Sequence, residues 1–91
     1  MGIHAERMAL RAELRSLILA FAPDREAALA DDTPLITSGL VESLTLLNVA
    51  LWVETKVGAE VEITSFDLVA EWDSVNDILT FIERHQTRGG A

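Results

Sequence analysis

Ninety-one residues are enough for one domain and too few for two cores, and the 49% that are hydrophobic can fold without a metal or covalent staple. The absence of cysteine excludes a disulfide framework, a thiol nucleophile and a thiolate metal site. Fifteen acids against seven bases leave a net charge of −8, which disfavours nucleic-acid phosphates and anionic lipid and suits partners with basic docking surfaces.

The spacing predicts a first helix over about residues 5–22. Leu10, Leu14, Leu17, Ile18 and Phe21 recur at helical intervals, with Glu6, Arg7, Arg11, Glu13 and Arg15 on the other faces. Residues 1–15 alternate charge with short apolar residues, unlike a signal peptide, and no run reaches the length of a membrane span; the expected location is the cytoplasm. Pro23-Asp24 stops the helix, and a long connection runs from 23 to about 42, punctuated by Pro34 and Gly39. Leu29, Leu35, Ile36 and Leu40 are its candidate anchors, and a loop of this length is commonly functional. A second helix is expected over about 43–57, stopped by Gly58. Val61 and Ile63 flank Glu62 in a short extended stretch. Thr64-Ser65-Phe66-Asp67 fits a capping box that opens a brief third helix, about 65–70. Asp73-Ser74 can cap a fourth helix over about 74–85, with Val75, Ile78, Leu79 and Ile82 on one side. The tail, 87–91, ends in Gly-Gly-Ala and should fray. Trp52, Trp72, Phe66 and Phe81 are read as core or core-edge residues.

The stretch Asp32-Thr33-Pro34-Leu35-Ile36-Thr37-Ser38-Gly39-Leu40-Val41-Glu42-Ser43-Leu44 carries more than helical periodicity. A serine at the start of a helix stands at an exposed corner, where free N–H groups and the positive dipole end favour an added phosphate. Gly39 can take backbone angles that let the loop turn in front of it. With its four-helix layout, the chain resembles the acyl and peptidyl carrier protein family. There a long loop carrying a glycine leads to an Asp-Ser-Leu triplet at the head of the second helix. Here the triplet is Glu42-Ser43-Leu44, which keeps the negative charge with one extra methylene and leaves the preferred transferase open.

The resemblance implies an all-α fold, a four-helix bundle of carrier type with a long loop between helices one and two and a short third helix, over a single domain, 1–91. It implies that Ser43 takes a covalent 4′-phosphopantetheine arm from coenzyme A, delivered by a phosphopantetheinyl transferase, and that the arm's terminal thiol bears an acyl or aminoacyl group as a thioester. The chain would then be a substrate of other enzymes: an acyl- or aminoacyl-activating ligase or acyltransferase loads it, and synthases or tailoring enzymes unload it. A monomer is expected, with no nucleic-acid or membrane partner. The cargo is chosen by the loading enzyme and is not legible here. The simpler reading of Ser43 is an ordinary helix N-cap, a place serine fills well.

Helix two is apolar on two sides. Leu46, Val49, Ala50, Val53 and Val57 form one stripe, expected in the core, and Leu44, Leu47 and Leu51 form another at i, i+3, i+7, with Trp52 between them. Either the second stripe is a partner-binding strip, together with Glu42, or the long loop or third helix covers Leu47 and Leu51. Fatty-acid-synthesis carriers line the exposed face of this helix with acids; here those positions read Thr45, Asn48, Thr55 and Lys56, with Glu54 the main acid. The chain therefore looks like a carrier of secondary metabolism or of a specialised aminoacyl pathway. A D-alanyl carrier of teichoic acid modification, and an unmodified helical adaptor that binds through helix two, are the alternatives. An independent enzyme is not expected: His4 and His85 lack metal-ligand spacing, Asp31-Asp32 lacks the rest of a calcium loop, and Ser43 with His85 as base would need an enclosed substrate site.

Overall fold

The computed structural model describes residues 3–62, 64 and 66–85, with side chains from residue 6 onward. Among them the chain is all-helical, with no strand: α1 Ile3–Phe21, a 3-10 turn Pro23–Ala28, α2 Ser43–Val57, α3 Leu68–Trp72 and α4 Val75–His85. No helix among these residues is long and apolar enough to cross a membrane. The expected fraying of 87–91 lies outside the described residues, as do Ile63 of the extended stretch and Ser65 of the capping box.

Helix α1 contributes Leu10, Leu14 and Ile18 to the core at intervals of four. Leu17 packs on the edge of that stripe. Phe21, expected with the core residues, is instead 43% exposed, because it is the helix's last residue and lies beyond the elements that cover Leu14 and Ile18. Pro23 does more than stop α1: its missing N–H and fixed φ suit the first position of the 3-10 turn, so part of the expected loop is helical.

Helix α2 occupies the expected span, and Gly58 closes it in the left-handed region at φ 78°, its N–H bonded to Glu54 O at 2.9 Å. Val49, Ala50, Val53 and Val57 are buried, while Leu46 is only half-buried at the core edge. Thr45, expected on the outer face, is buried at the start of this stripe, four residues before Val49. Helix α3 begins at Leu68, three residues later than expected, because Asp67 caps it: its carboxylate accepts from the N–H groups of Val69 at 3.1 Å and Ala70 at 3.3 Å. The helix then ends at Trp72 rather than Ala70. Helix α4 starts one residue late because Ser74 is its cap, accepting from Asp77 N–H at 3.0 Å.

Trp72 is fully buried and forms an aromatic cluster with Phe66 and Phe81, ring centroids 5.1–5.4 Å apart. Such stacked, tilted and edge contacts add about 0.5–1.5 kcal/mol per pair beyond buried area. They hold the short α3, which has too few turns to stand alone, against α4.

Candidate functional site at the head of helix two

The long connection is clamped at both ends. Leu29, Leu35 and Leu40 are buried and Ile36 packs beside them, as expected of the loop's anchors, and Val41 is buried with them. Near its start, Arg11 pairs with Asp31 at 2.7 Å, Arg15 donates to Leu29 O, and Asn76 N–H donates to Asp31 O at 3.0 Å. Near its end, Asp73 is the fastening. Its backbone O accepts from Leu35 N–H at 2.8 Å, and its carboxylate accepts from Ile36 N–H at 2.7 Å, Thr37 N–H at 3.1 Å and the Thr37 hydroxyl at 2.9 Å. Partial burial works to raise the Asp73 carboxyl, but the Thr37 and Ile36 donors outweigh it and hold it below the ordinary carboxylate value. Sequence reasoning took Asp73 only as a cap for α4 and missed this role, which joins segments 36 and 37 residues apart.

The connection then turns at Gly39, φ 81°, and nothing lies within 4 Å of where a Cβ would be, so the backbone angle alone calls for glycine. Leu40 and Val41 plug the core, and Val41 N–H donates to Leu35 O at 2.9 Å. Glu42 follows in an extended conformation as the residue before the helix, and its O accepts the first helical bond, from Leu46 N–H at 2.8 Å.

Ser43 is thus the first helical residue, not the N-cap. No side chain caps α2, and Ser43 Oγ takes no hydrogen bond from, and gives none to, any described residue. Its hydroxyl is exposed, with the free N–H groups of the first turn beside it. The capping explanation of this serine therefore fails on geometry. Beside it opens a cavity of about 390 Å³ between the end of α1 and the head of α2, lined by Phe21, Arg25, Leu40, Glu42, Leu44 and Thr45 among others.

The second apolar stripe of α2 is not covered. Leu44, Leu47 and Leu51 are 64%, 52% and 54% exposed. Next to them, Trp52 Nε1 donates to Glu13 at 3.1 Å, and Lys56 pairs with the same carboxylate at 2.9 Å. Lys56 first, then Trp52, lowers the Glu13 carboxyl below its usual value. Glu54 is turned to the Val61 N–H at 3.0 Å. With Glu54 and Lys56 committed in this way, the outer face of α2 offers leucines and Asn48, and the exposed acid beside Ser43 is Glu42, just before the helix.

The other candidates come to little. His85 stacks on Phe81 at 4.1 Å and its Nδ1 bonds to Phe81 O at 2.9 Å, so it has no hydrogen bond with Ser43. No metal-binding group of three acidic or histidine residues occurs among the described residues. The side chain of His4 lies outside them.

Breaking the Asp73 clamp tests whether it holds the site. Asp73→Ala is expected to lower stability by about 1–2 kcal/mol, allowing for partial solvent exposure, with Asp73→Asn losing less because it keeps one acceptor. The folded carboxyl titrates below its unfolded value of 3.8. Its contribution is therefore present above pH 3.8 and is lost as pH falls through the lowered folded value. Urea melts across that range should show a smaller acid loss for Asp73→Asn than for the wild type. Equal losses would place the acid sensitivity elsewhere.

A scan against family models finds no match to this chain, and neither does a search of curated proteins or of solved structures.

Proposed function

We propose that this protein is a cytoplasmic carrier of the acyl and peptidyl carrier type, a four-helix bundle that holds its cargo on a 4′-phosphopantetheine arm at Ser43. The observation that carries the reading is the state of that serine. It heads a fifteen-residue helix within a Glu-Ser-Leu triplet, is exposed, and has no structural hydrogen bond to satisfy. A loop clamped by Asp73 and plugged by Leu40 and Val41 holds it at a rigid corner.

In the modification, Ser43 Oγ attacks the pantetheine-bearing phosphorus of coenzyme A. A P–O bond forms to the serine, the P–O bond bridging the two phosphorus atoms breaks, adenosine 3′,5′-bisphosphate leaves, and the serine proton passes to a base of the transferase. Once attached, the group supplies a terminal thiol that carries acyl or aminoacyl cargo as a thioester. The residues at the site suit that attachment. The N–H groups of the first turn of α2 favour the phosphodiester's charge, and Gly39 lets the loop turn away from the hydroxyl. The uncovered leucine stripe and the lack of free acids on α2 favour secondary metabolism or a specialised aminoacyl pathway over bulk fatty-acid synthesis. Ser43 is the modified residue, Glu42 its charged neighbour, and Leu44, Leu47 and Leu51 the partner face.

Incubation with coenzyme A and a broad-specificity transferase should add the mass of a single phosphopantetheine, and Ser43→Ala should abolish the addition. Because Ser43 does not cap α2, that variant should melt within about 0.5 kcal/mol of the wild type. Gain of the arm by Ser43→Ala would refute the site. A wild type that never gains it would leave the helical adaptor, for which the exposed leucines are the supporting observation. A D-alanyl cargo, read by mass spectrometry of the loaded arm, would instead assign the protein to teichoic acid modification.

A further inference from the structure

The cavity beside Ser43 has a composition that selects its occupant. Its walls combine hydrocarbon from Phe21, Leu40 and Leu44 with the polar groups of Arg25, Glu42 and Thr45. At about 390 Å³ it is within the range of small-ligand sites. A plain hydrocarbon chain placed there would strip water from charged groups and give nothing in return. A slender chain that alternates methylenes with amides and a hydroxyl would match both kinds of wall.

Charge narrows the choice further. Arg7, Arg11 and Lys56 are each in an ion pair, and Arg15 donates to Leu29 O. Arg25 and Arg84 have no ion-pair partner among the described residues, and of the two Arg25 lines this cavity, where it stands exposed. Its backbone is fixed, since its N–H donates to Ala22 O at 3.0 Å within the 3-10 turn. Asp24 and Glu42 also line the cavity, so a freely diffusing anion gains little there. A group tethered at Ser43 is different. Glu42, Leu44 and Thr45 lie on the cavity wall while Ser43 itself does not, so a chain grafted onto Ser43 starts beside the cavity and reaches it by crossing the rim that its neighbours form. Tethering over such a short span gives an effective concentration in the millimolar range, enough to populate a weak site.

We infer that this cavity is the resting site of the arm itself, with the phosphodiester at Ser43 facing Arg25 and the amide-bearing chain lying against Phe21 and Leu40. The inference rests on the carrier reading. It concerns the arm rather than the cargo, and it gives the exposed Phe21 and the unpaired Arg25 a common use.

The test compares amide ¹H–¹⁵N spectra of the unmodified protein and the protein carrying the unloaded arm, with modification followed by intact mass. Burial of the arm should shift Phe21, Arg25 and Leu40 as strongly as residues 42–45. In Arg25→Gln, brought to complete modification as judged by mass, the shifts at Phe21 and Leu40 should fall by half or more. Shifts confined to 42–45 in a fully modified wild type would overturn the cavity assignment and leave the carrier reading standing. Unchanged distant shifts in Arg25→Gln would overturn the pairing with Arg25. Failure of the wild type to gain the arm would remove the carrier reading, and this inference with it. Thermal melts of Arg25→Gln and the wild type by circular dichroism separate lost contacts from lost folding.

Discussion

Val53→Asp is expected to leave the chain without a cooperative unfolding transition at neutral pH. Val53 is fully buried on the inner stripe of α2, between Val49 and Val57, where a carboxylate would lose its water. The substitution removes about 2 kcal/mol of apolar burial and puts a charge into the core, at a further cost of several kcal/mol. A domain this size has about 5–10 kcal/mol to lose. Ile78→Asp, on the opposing stripe of α4 and 1% exposed, should do the same. Far-UV circular dichroism would show helix lost at 25 °C, with partial recovery in mild acid, where the introduced carboxyl is protonated and its burial costs less. Val53→Ala should fold and lose only about 1–3 kcal/mol, confirming that charge rather than volume is decisive. A Val53→Asp protein that melts like the wild type would mean that α2 buries a different face.

That prediction depends on a part of the fold that local pattern already displays. The spans of α2 and α4 follow from apolar spacing together with strong end signals, the left-handed Gly58 and the capping Ser74. Helix α3 was displaced because two caps compete within four residues. Thr64-Ser65 and Asp67 both precede apolar residues, and only the hydrogen bonds from Val69 and Ala70 decide for Asp67. Pro23 was ambiguous for a related reason, since the same ring that ends one helix can open a 3-10 turn. Phe21 and Thr45 went to the wrong faces because periodicity orders residues around a helix but does not say where the covering elements end.

The site divides in the same way. Ser43 and its leucine neighbours were legible because they lie within one helix, where spacing alone sets who shares a face. That Ser43 is free of capping duty was not legible. It depends on Glu42 being extended while its carbonyl accepts from Leu46, a matter of one residue in the helix start. The Asp73 clamp and the cavity at Arg25 bring together residues far apart in the chain, so no local motif announces them. A short acidic residue between two helices was the one available sign of the clamp, and helix capping accounts for that sign equally well.

On the proposed carrier function, Leu47→Asp is expected to leave folding and arm attachment largely intact while lowering kcat/KM for loading by the cognate ligase at least tenfold, or about 1.4 kcal/mol. Leu47 is 52% exposed and lies one turn from Leu44 and one from Leu51, so an aspartate there meets water in the free protein and costs the fold little. Three exposed leucines in line on one helix are a surface that a partner can cover, and a residue at the centre of such a patch commonly dominates the binding energy. In the complex the new carboxylate would be desolvated against an apolar surface, and the wild-type leucine's contribution of about 1.5–3 kcal/mol would be lost with it. Ionic strength separates this mechanism from charge steering. The acids available to steer a basic partner are not on the outer face of α2, where Glu54 is bound to the Val61 N–H and Lys56 to Glu13. Raising salt from 0.05 to 0.5 M, which shortens the screening length to about 4 Å, should therefore change the loading rate less than about threefold. A steep loss of rate with salt would return recognition to the acidic residues around the 3-10 turn and α3. An unfolded Leu47→Asp would show that the strip belongs to the core.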